Sequence, residues 1–118
     1  MSRKSASRLE LLQGTLDLLI LRTLLFGPAH GHAIAKHIQR TSEEMLQVET
    51  GSLYPALHRL DARGWIAASW RQSEKGRRAK YYHLTPRGRK QLSEEHSRWE
   101  KFWRAMEMVL KPKDQESS

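Results

Sequence analysis

The chain has 118 residues, a length that holds one domain with room for an arm or a projecting helix. Hydrophobic residues make up 38%, and the longest aliphatic run, Leu18–Leu21, is flanked by Asp17 and Arg22; this excludes a spanning helix, which needs roughly 20 apolar residues. No cysteine is present, which excludes disulfides, thiol catalysis and cysteine zinc sites and fits a reducing cytoplasm, while 21 Lys and Arg against 13 Asp and Glu leave a net +8 that asks for a polyanionic partner.

Residues 1–9 read as a basic arm; Glu10, Gln13 and Asp17 then interrupt what a secretory leader would continue as an apolar stretch. From Thr15 to Phe26, Leu16, Leu19, Ile20 and Leu24 mark the buried face of a first helix, with Thr15 able to cap it and Gly27-Pro28 to stop it. Ala33, Ile34 and Ile38 predict a shorter second helix from about His32 to Arg40, followed by a polar turn or brief helical stretch over Thr41–Glu44. Gly51–Arg63 predicts a third, with Leu53, Leu57 and Leu60 inward and Gly64 just past its end. Pro55 is tolerable only in a first turn, which places the start of that helix near Ser52, its expected cap.

The pattern then changes. Residues 65–70 and 80–85 are short, aromatic-rich segments of strand length, and polar residues 73–78 around Gly76 join them as a hairpin. Thr85-Pro86 opens a last helix that should run to about Leu110, roughly 37 Å at 1.5 Å per residue. Residues 111–118 lack apolar side chains and read as a disordered tail. The expected organisation is therefore an arm (1–9), a head (10–85), a helix (86–110) and a tail (111–118). The fold class is α+β, mainly α: three helices plus a β-hairpin, a winged helix-turn-helix, with a long C-terminal helix.

The charge excess is local. Residues 71–90 hold eight basic side chains against Glu74 alone, so one twenty-residue stretch supplies nearly the whole excess, with its basic maximum on the tip and flanks of the hairpin. Lys75, Arg77, Arg78 and Lys80 surround Gly76, whose freedom lets backbone approach phosphate, and guanidinium groups chelate phosphate oxygens. The bland alternative is a solvated loop. In a winged helix the third helix enters the major groove, which nominates Ser52, Tyr54, Pro55, His58 and Arg59. Arg59 could donate two hydrogen bonds to a guanine edge or be an ordinary surface arginine; Tyr54 could meet DNA or fill the core.

Leu92, Trp99, Phe102, Trp103, Met106, Val109 and Leu110 form an apolar stripe on the last helix, more than a small head can cover, and such a stripe marks a partner surface. Docking back onto Leu11, Leu12 and the first helix is the alternative. His30, His32 and His37 are near one another but offer no three-ligand spacing, so no metal is expected. No phosphate-binding glycine loop, nucleophile elbow or His-Glu-x-x-His helix occurs, so neither an enzyme nor a cofactor is expected.

Gly27-Pro28-Ala29-His30-Gly31, the run Gly51 to Leu60 containing Leu53-Tyr54-Pro55-Ala56-Leu57, and Gly76-Arg77-Arg78-Ala79-Lys80-Tyr81-Tyr82-His83-Leu84-Thr85 together resemble the PadR family of bacterial transcriptional regulators over about residues 10–110. The resemblance implies a homodimeric DNA-binding protein, usually a repressor, of the short form that dimerises through a single C-terminal helix. It also implies, from some relatives, an aromatic-lined space at the dimer interface that accepts flat small molecules, for which Trp99 and Trp103 are the residues here. His32 departs from the family pattern, which commonly has an aromatic there. Two rival readings stay open: a nonspecific architectural DNA binder, and a basic module for acidic membrane or protein surfaces. The latter would show exposed apolar residues beside the cations and would not need Ser52, Tyr54 and Arg59 on a positioned helix.

Overall fold

The computed structural model describes residues 9–10, 13–72 and 75–111, so the arm and tail expected at the two ends lie, but for Leu9 and Lys111, outside the described residues. Among the described residues four helices are present: α1 (Gln13–Leu24), α2 (Gly31–Thr41), α3 (Thr50–Ala62) and α4 (Pro86–Leu110). Five strands accompany them: β1 (Leu9–Glu10), β2 (Ala29–His30), β3 (Leu46–Gln47), β4 (Ile66–Gln72) and β5 (Arg78–Leu84). β1 pairs with β3 in parallel, and the other three form an antiparallel sheet ordered β2-β5-β4. The architecture is the winged helix expected from the pattern.

Leu16, Ile20, Leu21 and Leu24 of α1, Ile34 and Ile38 of α2, and Leu53, Ala56, Leu57 and Leu60 of α3 close the core, with Ile66, Tyr82 and Leu84 of the hairpin against them. Leu19, expected inward, is only partly buried, and Leu21 takes its place. α1 begins at Gln13, so Thr15 lies inside the helix and does not cap it. α2 starts one residue early because His30 is its cap: the imidazole Nδ1 accepts the Ala33 N–H at 3.1 Å. α3 starts at Thr50, which moves Ser52 into the helix and leaves Pro55 in its interior, past the first turn that sequence reasoning assigned to it. The cap position falls to Glu49, which makes no side-chain capping bond.

The end of α3 and the start of α4 form one joint. Gly64, at φ +76°, sends its N–H to Asp61, and Trp65 sends its N–H to Leu60, satisfying two terminal carbonyls of α3. Thr85 Oγ1 then accepts from the Gly88 N–H at 3.0 Å and donates to the Gly64 carbonyl at 2.6 Å. Gly88 is buried against the Trp65 backbone, so close that a Cβ would overlap the Trp65 carbonyl oxygen. Beyond this joint α4 leaves the head. The radius of gyration, 17.1 Å, exceeds the roughly 13–14 Å of a compact chain this long, and the molecule extends 63 Å along its major axis.

Candidate nucleic-acid interface

Burial of Leu53, Ala56, Leu57 and Leu60 turns the opposite side of α3 outward, so Ser52, Pro55 and His58 are exposed. Tyr54 sits at the flank, 48% exposed, with its ring over the first residue of α2. A Cβ built on Gly31 would come within 2.8 Å of the Tyr54 hydroxyl, so the absence of a side chain there sets how close the ring lies. Tyr54 is thus neither a core residue nor a free one.

Arg59 is turned the other way. Its Nη2 donates to Asp17 Oδ1 of α1 at 2.8 Å, the two side chains being 27% and 14% exposed, and its buried Nε has no hydrogen-bond partner among the described residues. A guanidinium held in this pair cannot also fork onto a guanine edge without abandoning a partly buried carboxylate. The structure therefore places Arg59 as a tie between α1 and α3, a position that matches neither of the two readings weighed for it, base contact or ordinary surface arginine.

β4 and β5 pair from Ile66↔Leu84 to Gln72↔Arg78, and period-two alternation sets the two faces of the hairpin. The face that begins at Ile66 and Leu84 in the core continues outward through Ala68 and Tyr82 to Trp70 opposite Lys80 and Gln72 opposite Arg78. The Arg78 guanidinium lies 5.2 Å from the Trp70 ring and the Lys80 ammonium 5.8 Å from the Tyr82 ring; on the other face Arg71 lies 5.2 Å from Tyr81. Lys75, Gly76 and Arg77 complete the turn, with Gly76 at φ +82° and its carbonyl accepting from Gln72 Nε2 at 3.2 Å. Burial, helped by the nearby Tyr54 and Asp61, raises the Tyr82 phenol above its ordinary value of 10.0, so it stays protonated at neutral pH.

These elements enclose an open cleft of about 1080 Å³ between the start of α2, Tyr54 and the wing. Lys75, Arg77, Arg78 and Lys80 line one wall; His30, His32 and Tyr54 line the other; Trp70, Tyr81 and Tyr82 also line it. Ser52, Pro55 and His58 are not among the lining residues. Sequence reasoning missed Trp70, Tyr81, His30 and Gly31. Trp70 was legible in part, since Ile66, Ala68 and Trp70 alternate onto one face; the position of β2 beside β5 was not.

The stripe on α4 divides in two. Leu92, expected at the partner surface, is buried at 7% exposure against its own head. Trp99, Phe102, Trp103, Val109 and Leu110 are exposed and Met106 half-buried; the Trp99 and Phe102 rings touch, with centroids 5.7 Å apart. Docking back onto the described head thus accounts for the first turns of α4, while Leu11 and Leu12, named in that alternative, lie outside the described residues. No described helix is long and apolar enough to cross a membrane, and no group of three or more metal-ligating side chains occurs among the described residues.

Residues 20–94 match the family described as the transcriptional regulator PadR-like family. A transcriptional regulator of Mycobacterium tuberculosis is 38% identical over 66 residues, which are 56% of this chain and 61% of that protein. The fold is similar to that of a transcriptional regulator from Clostridium thermocellum, with a TM-score of 0.77 and 29% identity over 84% of this chain and 96% of that one. It is also similar to a PadR family transcription regulator from Clostridium difficile, with a TM-score of 0.71 and 31% identity over 80% of this chain and 97% of that one.

Proposed function

Because this chain belongs to the PadR-like family of transcriptional regulators and is a DNA-binding regulator, not an enzyme, we propose that it acts as a homodimeric repressor on an inverted-repeat operator. The observation that carries this is the pairing of a cation-lined cleft beside α3 with an apolar stripe on α4 that is exposed among the described residues. Ser52, Tyr54, Pro55 and His58 meet base edges or adjacent phosphates in the major groove. Lys75, Arg77, Arg78 and Lys80 grip the flanking backbone, where the Gly76 turn allows close approach. Arg59 holds α3 in place from behind.

Trp99, Phe102, Trp103 and Met106 then join two copies, with Val109 and Leu110 extending the contact, so that two heads face successive major grooves. A dimer seated on an operator excludes polymerase by occupancy. A flat aromatic effector held by Trp99 and Trp103 at that seam would act through its different affinity for the two head spacings. The rival membrane reading is disfavoured by the cleft, where the exposed Trp70 ring is paired with the Arg78 guanidinium and not gathered into an apolar patch.

Sequences selected from a random duplex pool by the full-length protein test this. An inverted repeat with half-sites about one helical turn apart, bound by a species of twice the chain mass in sedimentation, is the expected result. Enrichment of no motif would favour an architectural role instead.

A further inference from the structure

The imidazole pair at the first turn of α2 has no part in the contacts assigned above. His30 Nδ1 accepts the Ala33 N–H, so its lone pair is engaged and the neutral ring carries its proton on Nε2. The Tyr81 ring packs edge-on to His30 at 5.4 Å, and His32 stacks on the same imidazole, centroids 6.4 Å apart and planes within 11°. His32 is exposed. Both rings line the wing cleft opposite Lys75, Arg77, Arg78 and Lys80, with the Tyr54, Tyr81 and Tyr82 phenols. On their other side they share a smaller cleft with Lys36, His37 and Arg40. Neither lining contains a carboxylate among the described residues.

We propose that His30 and His32 form a third DNA-contacting element beside α3 and the wing, one that links DNA binding to proton uptake. His30 donates from Nε2 to a phosphodiester oxygen while remaining neutral, and His32 binds a proton as the phosphodiester enters the cleft. This rests on the DNA-binding reading given above. The two rings differ because of their partners. Nδ1 of His30 is taken up by the cap of α2, which leaves Nε2 as that ring's donor. A proton on His32 gains an opposite charge when a phosphodiester enters the cleft. The complex then holds more protons than the free protein, so affinity rises as pH falls.

The test is anisotropy of the full chain on a labelled random-sequence duplex of about 30 base pairs, long enough for two heads, at fixed salt. From about pH 8 to about pH 6, the range in which imidazoles titrate, affinity should rise roughly tenfold per head. Titration calorimetry in buffers of different ionisation enthalpy should register the proton uptake. His32→Gln should abolish the rise. His30→Asn keeps an oxygen acceptor for the cap but not the Nε2 donor, so affinity should fall several-fold at every pH with little change in the thermal midpoint. A flat wild-type profile overturns the proposal, as does a slope that survives His32→Gln or disappears only in His58→Gln. Absence of binding at any pH would overturn the DNA reading along with it.

Discussion

Arg59 and Gly88 are single positions whose neighbours decide what they can do. Arg59→Ala removes the partner of Asp17, a carboxylate only 14% exposed, and an unpaired group at that depth costs about 1–3 kcal/mol. The thermal midpoint should drop, and binding to all sequences should weaken together, because α3 loses its tie to α1. Selection from a random pool should return an unchanged motif with Arg59→Ala and an altered one with His58→Ala; a position-specific change with Arg59→Ala would put the guanidinium back on a base. Gly88→Ala has a different cause. The methyl would strike the Trp65 carbonyl oxygen, which belongs to the backbone and cannot swing aside, so the joint between α3 and α4 must open. Overpacking of this kind costs about 3 kcal/mol or more where the backbone must shift, and a melt of the variant measures it. A Gly88→Ala protein that melts with the wild type would mean that the joint is slack.

The wing is the element whose contribution can be counted through salt. If Arg77 and Arg78 each neutralise one phosphate per subunit, replacing both by Ala in a dimer removes four contacts, and the slope of log affinity against log salt should become shallower by about 3.6. Sequence preference should survive, and an unchanged slope would remove the wing from the interface. The hairpin and the three head helices were legible in the sequence because apolar period and turn chemistry agree there: Leu53, Leu57 and Leu60 for α3, Gly76 for the turn, Thr85-Pro86 for α4. Misplaced starts have physical reasons. His30 caps α2 through a ring nitrogen, a role that composition assigns first to Ser, Thr, Asp or Asn, and β2 is only two residues long, too short to show a period. Pro55 was read as a first-turn residue, yet α3 accepts it in its interior. In the candidate site, the cations of the wing could be read directly. The Asp17–Arg59 pair could not, since its members are 42 residues apart and only the packing of α1 on α3 brings them together.

At the scale of the whole molecule, the proposed dimer rests on the exposed half of α4. Burying each large side chain among Trp99, Phe102, Trp103 and Met106 contributes roughly 1.5–3 kcal/mol, and a twofold axis counts each contact twice. Trp99→Ala with Trp103→Ala should therefore give a folded monomer in light scattering, with an unchanged melt of the head. It should bind a two-half-site duplex weakly and a single half-site almost as before; a variant that stays dimeric means that another surface joins the copies. The Thr85–Gly64 hydrogen bond and the seat of Gly88 on Trp65 give the head and α4 the geometry of a crank fixed to its shaft. Over an arm of about 30 Å, a tilt of only 10° or so at the distal seam carries a head sideways by about 5 Å, more than one base-pair step of about 3.4 Å. In the proposed dimer, small movements between two such shafts would become whole-step errors in where the heads land on the duplex, and a stiff joint is what would keep that gearing from being lost to play.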